Sequence, residues 1–234
     1  VTNQDLHNST TVQYLIVTHS SLLSEAQRLA AWHRQRGLST LVATTEQIFN
    51  EFASGTPDPS AIRDFVKMYY DKAGTVTANR PRYLLLMGDA SFDYKDRTAG
   101  NTNLVPCYES DASLDPLQTY TSDDFFGLLD DADNVTSFFP APLLDIGIGR
   151  IPARTAAEAK NAVDKIIRYH TKEAMGPWRN EITLVADDED NNLHQDDAEL
   201  HASIIKSKNL FQTNKIYLDA FRQQSGSGGS RYPD

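Results

Sequence analysis

Cysteine is all but missing from this 234-residue chain: Cys107 stands alone, so neither an intrachain disulfide nor a thiolate zinc cage can form. Long apolar runs are missing too, which excludes a membrane-spanning helix, and the amino end shows no signal-peptide pattern. Basic charge is in deficit: 22 Lys and Arg stand against 32 Asp and Glu, a formal net charge of -10. A chain this acidic is repelled by a nucleic-acid backbone or an anionic bilayer, so neither is an expected partner. No HExxH motif, glycine-rich phosphate loop or twelve-residue EF-hand pattern occurs. What is present, 40% apolar residues with 12 glycines and 10 prolines, is ordinary globular composition.

Strand and helix signals alternate over the first half. Tyr14-Leu15-Ile16-Val17, Leu41-Val42-Ala43 and Tyr83-Leu84-Leu85-Leu86-Met87 are short apolar runs suited to buried parallel strands. Between the first two, Leu22, Leu23, Ala26, Leu29 and Ala30 fall at helical spacing until Gly37. Asp58 and Pro59 form an N-cap and first-turn pair, opening a helix whose buried face is Ile62, Phe65, Val66, Tyr69 and Tyr70 and whose end is Gly74. Leu143 to Ile148 reads as another strand. Thr155 and Glu158 form a capping box before a stripe of Ala159, Val163, Ile166, Ile167 and His170. Beyond Gly176 and Pro177 come a strand at 182–186, a helix at 198–205, a strand at 215–218 and a Gly/Ser-rich segment at 225–230. This alternation predicts a doubly wound parallel sheet sandwiched by helices, with ligands beyond the carboxyl ends of the strands. Those ends are expected to carry His19, Asp89, Asp145, Asp187 and Asp188.

From Gly88 to Leu143 the rhythm breaks, and ten aspartates begin with Asp89. A connection this long in a compact domain is usually functional. Three acidic groups are candidate calcium sites, because calcium gathers several loop oxygens. The residues are Asp89, Asp93 and Asp96 in the first, Asp130, Asp131 and Asp133 in the second, and Asp187, Asp188, Glu189 and Asp190 in the third, with Asp89, Asp93, Asp130, Asp131, Asp133, Asp187 and Asp188 the preferred ligands. Loop aspartates also cap helices and solvate turns. His33 and His170 read as packing or capping residues, and His194 with its acidic neighbours as a solvated helix start. His19 follows a strand with no nucleophile evident beside it. Cys107 follows Pro106 without a glycine-rich elbow or helix N-terminus, so it reads as an inert, partly buried thiol. The pair Gly147 and Gly149 reads as close packing late in a strand.

Several strings, in order, resemble the gingipain family of cysteine peptidases. They begin with the strand end Met87-Gly88-Asp89 and Leu104-Val105-Pro106, followed by Thr121-Ser122-Asp123-Asp124-Phe125-Phe126-Gly127. Next come Asp145-Ile146-Gly147-Ile148-Gly149-Arg150-Ile151-Pro152, Trp178-Arg179-Asn180, Val185-Ala186-Asp187-Asp188 and Arg231-Tyr232-Pro233-Asp234. The series spans nearly the whole chain. Val105 to Ser110, and Asp187 to His194, look most like the PorU-type sortase branch, which serves the type IX secretion system of Bacteroidetes.

The resemblance implies a caspase-like α/β peptidase with two subdomains side by side. Residues 1–176 correspond to subdomain A and 177–234 to the opening of an incomplete subdomain B. It implies a Cys/His dyad, the thiolate attacking a peptide carbonyl while the imidazole handles the proton. The family's histidine lies in a His-Gly pair after Arg-Tyr-Pro-Asp, and its cysteine lies further on; no histidine here precedes a glycine. The chain by itself is therefore expected to be inactive. Asp123 and Asp124 are candidates to orient that histidine, with turn formation as their alternative role. The sortase branch implies cleavage of the C-terminal signal of secreted cargo, partnership with other secretion components, and a place at the outer membrane surface. The rival expectation is a non-catalytic module of the same fold that binds cargo or a secretion component.

Overall fold

The computed structural model describes residues 4–94, 97–110, 115, 119–133, 143–187, 190–222, 224–226 and 229–231. The chain divides into two compact units, Val1–Arg168 and Tyr169–Asp234. No described helix is long and apolar enough to cross a membrane.

The first unit is built on β1 (Tyr14–Thr18), α1 (Leu23–Gln35), β2 (Thr40–Thr44), α2 (Thr45–Phe52), α3 (Pro59–Ala73) and β3 (Tyr83–Met87). A short antiparallel pair, β4 (Tyr108–Glu109) and β5 (Thr121–Ser122), then precedes β6 (Gly147–Ile151) and α4 (Ala156–Tyr169). The four long strands form one parallel sheet in the order β2-β1-β3-β6. Alternate residues face opposite layers. Leu15, Val17, Leu84 and Leu86 pack against Ile48 and Phe49 of α2 and Ile62, Phe65 and Tyr69 of α3. Ile16, Leu85 and Met87 pack against Ala26, Leu29 and Ala30 of α1 and Ala159 and Val163 of α4. Both faces are covered, as an all-parallel sheet requires.

Local chemistry sets the helix ends. Asp58 accepts from the Ser60 N–H at 2.8 Å with Pro59 in the first turn, and Gly74 stops α3 at φ 55°. Helix α2 is absent from the periodicity reading, yet it carries a reciprocal capping box in which Thr44 accepts from the Gln47 N–H and Gln47 accepts from the Thr44 N–H. At α4 the expected box is only half formed. Thr155 accepts from the Glu158 N–H, but the Glu158 carboxylate reaches back to the Arg154 N–H at 2.7 Å.

The strand expected at Leu143–Ile148 lies further along, at Gly147–Ile151. Leu143 is 87% exposed. The Asp145 N–H donates to the Gly127 carbonyl, and its carboxylate accepts from the Leu129 N–H and the Tyr70 hydroxyl. Pairing with β3 therefore starts only at Gly147, whose N–H meets the Arg82 carbonyl. In consequence Asp145 sits at the amino end of β6, not at a carboxyl end.

The second unit contains β7 (Glu181–Ala186), α5 (Leu193–Lys208), β8 (Gln212–Tyr217) and a hairpin of β9 (Gln224–Gly226) and β10 (Gly229–Arg231). β7 and β8 are parallel. α5 is fastened to one face of this pair through Glu199, which accepts from Lys215 Nζ and the Tyr217 hydroxyl, both at 2.7 Å. Val185 and Ile216, paired across the strands, remain exposed.

Gly88 ends β3 at φ 150°, where a Cβ would lie 2.7 Å from Val105 Cγ2 and 3.1 Å from Leu104 Cβ. Strain and overlap act together there, so Gly88→Ala should lower stability by about 3 kcal/mol, read as a shift in a urea unfolding midpoint.

Candidate functional site

The carboxyl ends of β1, β3 and β6 form one edge. Thr18 Oγ1 donates to the Met87 carbonyl at 2.9 Å, joining β1 to β3 where the strand order turns back. Beyond Gly88, the Asp89 N–H donates to the Ala153 carbonyl, and the Asp89 carbonyl accepts from the Val105 N–H. The segment at 104–107 is thereby laid across the end of the sheet.

Arg150 of β6 is the hub. Its Nε and Nη2 donate to the two oxygens of Asp123, at 2.8 and 2.7 Å, while Nη1 donates to the carbonyls of Gly88 and Val105 at 2.9 and 2.7 Å. A planar guanidinium suits this bidentate grip. Around it opens a cavity of about 350 Å³ lined by Asp89, Phe92, Cys107, Ser122, Asp123 and Arg154 among others. Arg154 Nε lies 3.2 Å from Asp89 Oδ2, which also accepts from the Thr102 hydroxyl. The side chain of Asp89 is almost wholly buried, and its Oδ1 has no hydrogen-bond partner. A buried carboxylate oxygen left unpaired is costly, so this atom is suited to receive a donor or cation. The cavity can hold a polar ligand through paired carboxylates, guanidiniums and hydroxyls.

Among the described residues that line it, Cys107 carries the one thiol, and that thiol is held in its protonated form. The Cys107 thiol is pushed up from 9.0 to about 12, first by burial, then by the carboxylate of Glu109, which accepts a hydrogen bond from the thiol at 3.3 Å. Asp123 pushes the same way and Arg150 opposes it. Among the described residues, no histidine lines the cavity. His19, expected near a strand end, caps the turn at Ser20–Leu22: its Nδ1 accepts from the Ser21 N–H, and its Nε2 meets Glu46 at 3.2 Å.

The candidate orienting residues differ in fate. Asp123 is fully engaged by Arg150, whereas Asp124 opens a short 3-10 turn, its N–H donating to Ser122 Oγ.

The described calcium candidates up to Asp133 each have partners of their own. Asp93 closes its loop by accepting from the Thr98 N–H at 2.7 Å. Asp130 accepts from Tyr70, Asp133 accepts from the Asp130 N–H, and Asp131 pairs with Lys67 at 2.8 Å. Among the described residues, no three His, Cys, Asp or Glu side chains are grouped as a metal cage needs. Asp89 and Asp187 keep one buried oxygen unpaired, and Asp96, Asp188 and Glu189 lie outside the described residues. Asp187 directly follows the end of β7. Sequence reasoning missed Arg150 and Arg154. An arginine between Ile148 and Ile151 in a strand was itself a signal, because a charge there demands a partner.

The profile of peptidase family C25 matches residues 7–234. The chain belongs to peptidase family C25. It is similar to the crystal structure of dimeric latent PorU from Porphyromonas gingivalis, with 37% identity and a TM-score of 0.63 over 76% of this chain and 17% of that one. The Arg-specific cysteine proteinase gingipain R matches with a TM-score of 0.63 at 19% identity, over 92% of this chain and 43% of that one. A further protease structure matches at 16% identity with a TM-score of 0.59. At these two lower identities the likeness shows the fold alone. No curated protein matches the chain. The chain thus spans less than a fifth of the length of the PorU chain and under half of that of gingipain R.

The raised thiol of Cys107 predicts its reactivity. Its thiolate fraction in the folded C25 chain at pH 8 is roughly a thousandfold below that of a free thiol, so iodoacetamide should label it rapidly only after denaturation. With its folded pKa raised, Cys107 contributes stability that is complete below pH 9 and is lost as pH rises from 9 to 12. Equally fast labelling of the folded and unfolded chain would show that the thiol is exposed and ionised.

Proposed function

We propose that this chain is the amino-terminal part of a cysteine peptidase catalytic domain that acts as a sortase of type IX secretion, at the cell surface. The observation that carries the reading is the 37% identity to PorU over 76% of the chain. The reactive cysteine and histidine come from polypeptide other than these 234 residues. Cys107 supports this, since a thiol held near 12 and bonded to a carboxylate is a poor nucleophile. In the reaction, the thiolate sulfur bonds to the carbonyl carbon of the cargo's scissile peptide. The C–N bond breaks, and the imidazolium protonates the departing amine. Water or an anchor amine then releases the acyl group.

The unpaired oxygen of Asp187, rather than the engaged Asp123, is suited to hold the imidazole N–H. Taken by itself, the cavity beside Asp89 and Arg150 in the first unit offers carboxylates and guanidiniums to the polar groups of a peptide.

A peptide carrying a cargo C-terminal signal tests the reading. The 234-residue chain alone should leave it intact, and the longer polypeptide should cleave it with full activity after Cys107→Ala. Loss of cleavage in Cys107→Ala, at unchanged melting temperature, would refute the assignment. Binding of cargo tails by the longer polypeptide without cleavage would instead favour a non-catalytic module.

Calcium belongs to the same proposal, at Asp89. Its unpaired oxygen supports the assignment, because calcium is held by carboxylate and other oxygen ligands. Millimolar calcium should raise the melting temperature by a few degrees relative to chelator, and Asp89→Asn should abolish the rise. An identical rise in the variant would place the ion elsewhere.

A further inference from the structure

Two of the four charged side chains that line the cavity at the carboxyl edge are spent on each other. Asp123 takes both of its hydrogen bonds from Arg150, and the remaining nitrogen of that guanidinium goes to the Gly88 and Val105 carbonyls. Asp89 and Arg154 are not used up in this way. Asp89 Oδ2 accepts from the Thr102 hydroxyl and lies 3.2 Å from Arg154 Nε, whereas Oδ1 is buried and unpaired. Among the described residues, Nη1 and Nη2 of Arg154 meet no acceptor, and that side chain is 68% exposed. The cavity therefore keeps one free acceptor beside one free fork of donors.

Phe92 lines the same cavity and is 77% exposed. Its backbone is braced on both sides. The Ser91 N–H donates to Asn103 Oδ1, and the Asp93 N–H donates to Ser91 Oγ. Asp93 in turn accepts from the Thr98 N–H with its carboxylate and from the Asn101 amide with its carbonyl. A ring held in this manner gives the stem of an entering side chain an apolar wall. An apolar wall with a few placed polar groups is the usual composition of a selective pocket.

We propose that this cavity selects a carboxamide side chain, glutamine or asparagine, of a bound peptide. The amide nitrogen donates to Asp89 Oδ1, the amide oxygen accepts from the free nitrogens of Arg154, and the methylenes lie against Phe92. Every other class of side chain leaves a defect. A carboxylate satisfies Arg154 but brings like charge to Asp89 and no proton for Oδ1. An ammonium or guanidinium satisfies Asp89 but stands against Arg154. An apolar side chain of the same length leaves donor and acceptor unpaired, which a site built for hydrogen bonds penalises most. That the ligand is a peptide rests on the peptidase reading, whereas the choice of carboxamide rests on the two free groups.

Fluorescence anisotropy on the 234-residue chain tests it, using labelled short peptides of alanine and glycine with one variable central residue. Chelator is present throughout, so that no calcium competes for Asp89. The glutamine or asparagine peptide should bind roughly tenfold more tightly than those carrying glutamate, lysine, methionine or alanine. Arg154→Ala, at an exposed side chain, should weaken the carboxamide peptide about tenfold at unchanged melting temperature. Asp89→Asn should reverse the order, glutamate then binding more tightly than glutamine, because the new amide donates to a carboxylate and no longer repels it. Equal binding of the alanine peptide would assign the contact to the peptide backbone and overturn the proposal. So would a glutamate or lysine preference in the native chain, an unchanged order in folded Asp89→Asn, or no binding at millimolar peptide. None of these readings needs cleavage, so the carboxamide preference can fail while the longer polypeptide still cleaves its cargo signal, and the reverse.

Discussion

One guanidinium holds the carboxyl edge together. Arg150 of β6 joins Asp123 to the carbonyls of Gly88 and Val105. Four donors on one planar group fix three segments far apart in sequence. Removing the arginine would leave a half-buried carboxylate and two carbonyls unpaired, a loss larger than the net worth of the pair. Hence the cavity around Asp89 inherits its shape from Arg150. The same charge also moderates the Cys107 thiol, although burial and Glu109 outweigh it.

The long connection between β3 and β6 is held by a second set of contacts from α3. Arg63 donates to the Leu128 carbonyl and Lys67 to that of Leu129, while the Tyr70 hydroxyl reaches Asp130 and Asp145. These side chains recur every three or four residues along one helical face, so α3 works as a comb. Burial and the neighbouring Asp145 push the Tyr70 hydroxyl up to about 12, which keeps it a donor throughout the physiological range. In this light the aspartates from 130 to 145 are fasteners between backbone and helix. Their abundance reflects the number of loop N–H groups and cations needing an acceptor.

What could be read from the residues followed burial. The runs Leu15-Ile16-Val17 and Leu84-Leu85-Leu86 are buried on both faces, so their hydrophobicity announces the parallel sheet, and its fold class is the one found. The Leu143–Ile148 run misled for the same reason inverted: Leu143 and Leu144 are exposed, and the pairing strand begins with glycine. Helix α2, only eight residues long, was too short for a periodic stripe, but its Thr44 and Gln47 box was visible in the letters. The site was less legible. Asp89 stood out at a strand end, but nothing local links Arg150 to Asp123, 27 positions away, or Arg154 to Asp89. Such pairs exist only once β6 has been placed beside β3.

The two ends of that pairing show how glycine serves opposite purposes. At Gly88 the backbone adopts a conformation that other residues resist, and Val105 comes within the space a Cβ would fill. Close approach is the purpose, and it brings the 104–107 segment within reach of Arg150. At Gly149 the backbone is ordinary and the surroundings are empty. There the lack of a side chain leaves the sheet face open between Tyr83 and the start of β6. A packed parallel sheet normally fills such positions with branched residues. The emptiness is therefore a property of the amino edge itself, and packing of the carboxyl edge does not require it.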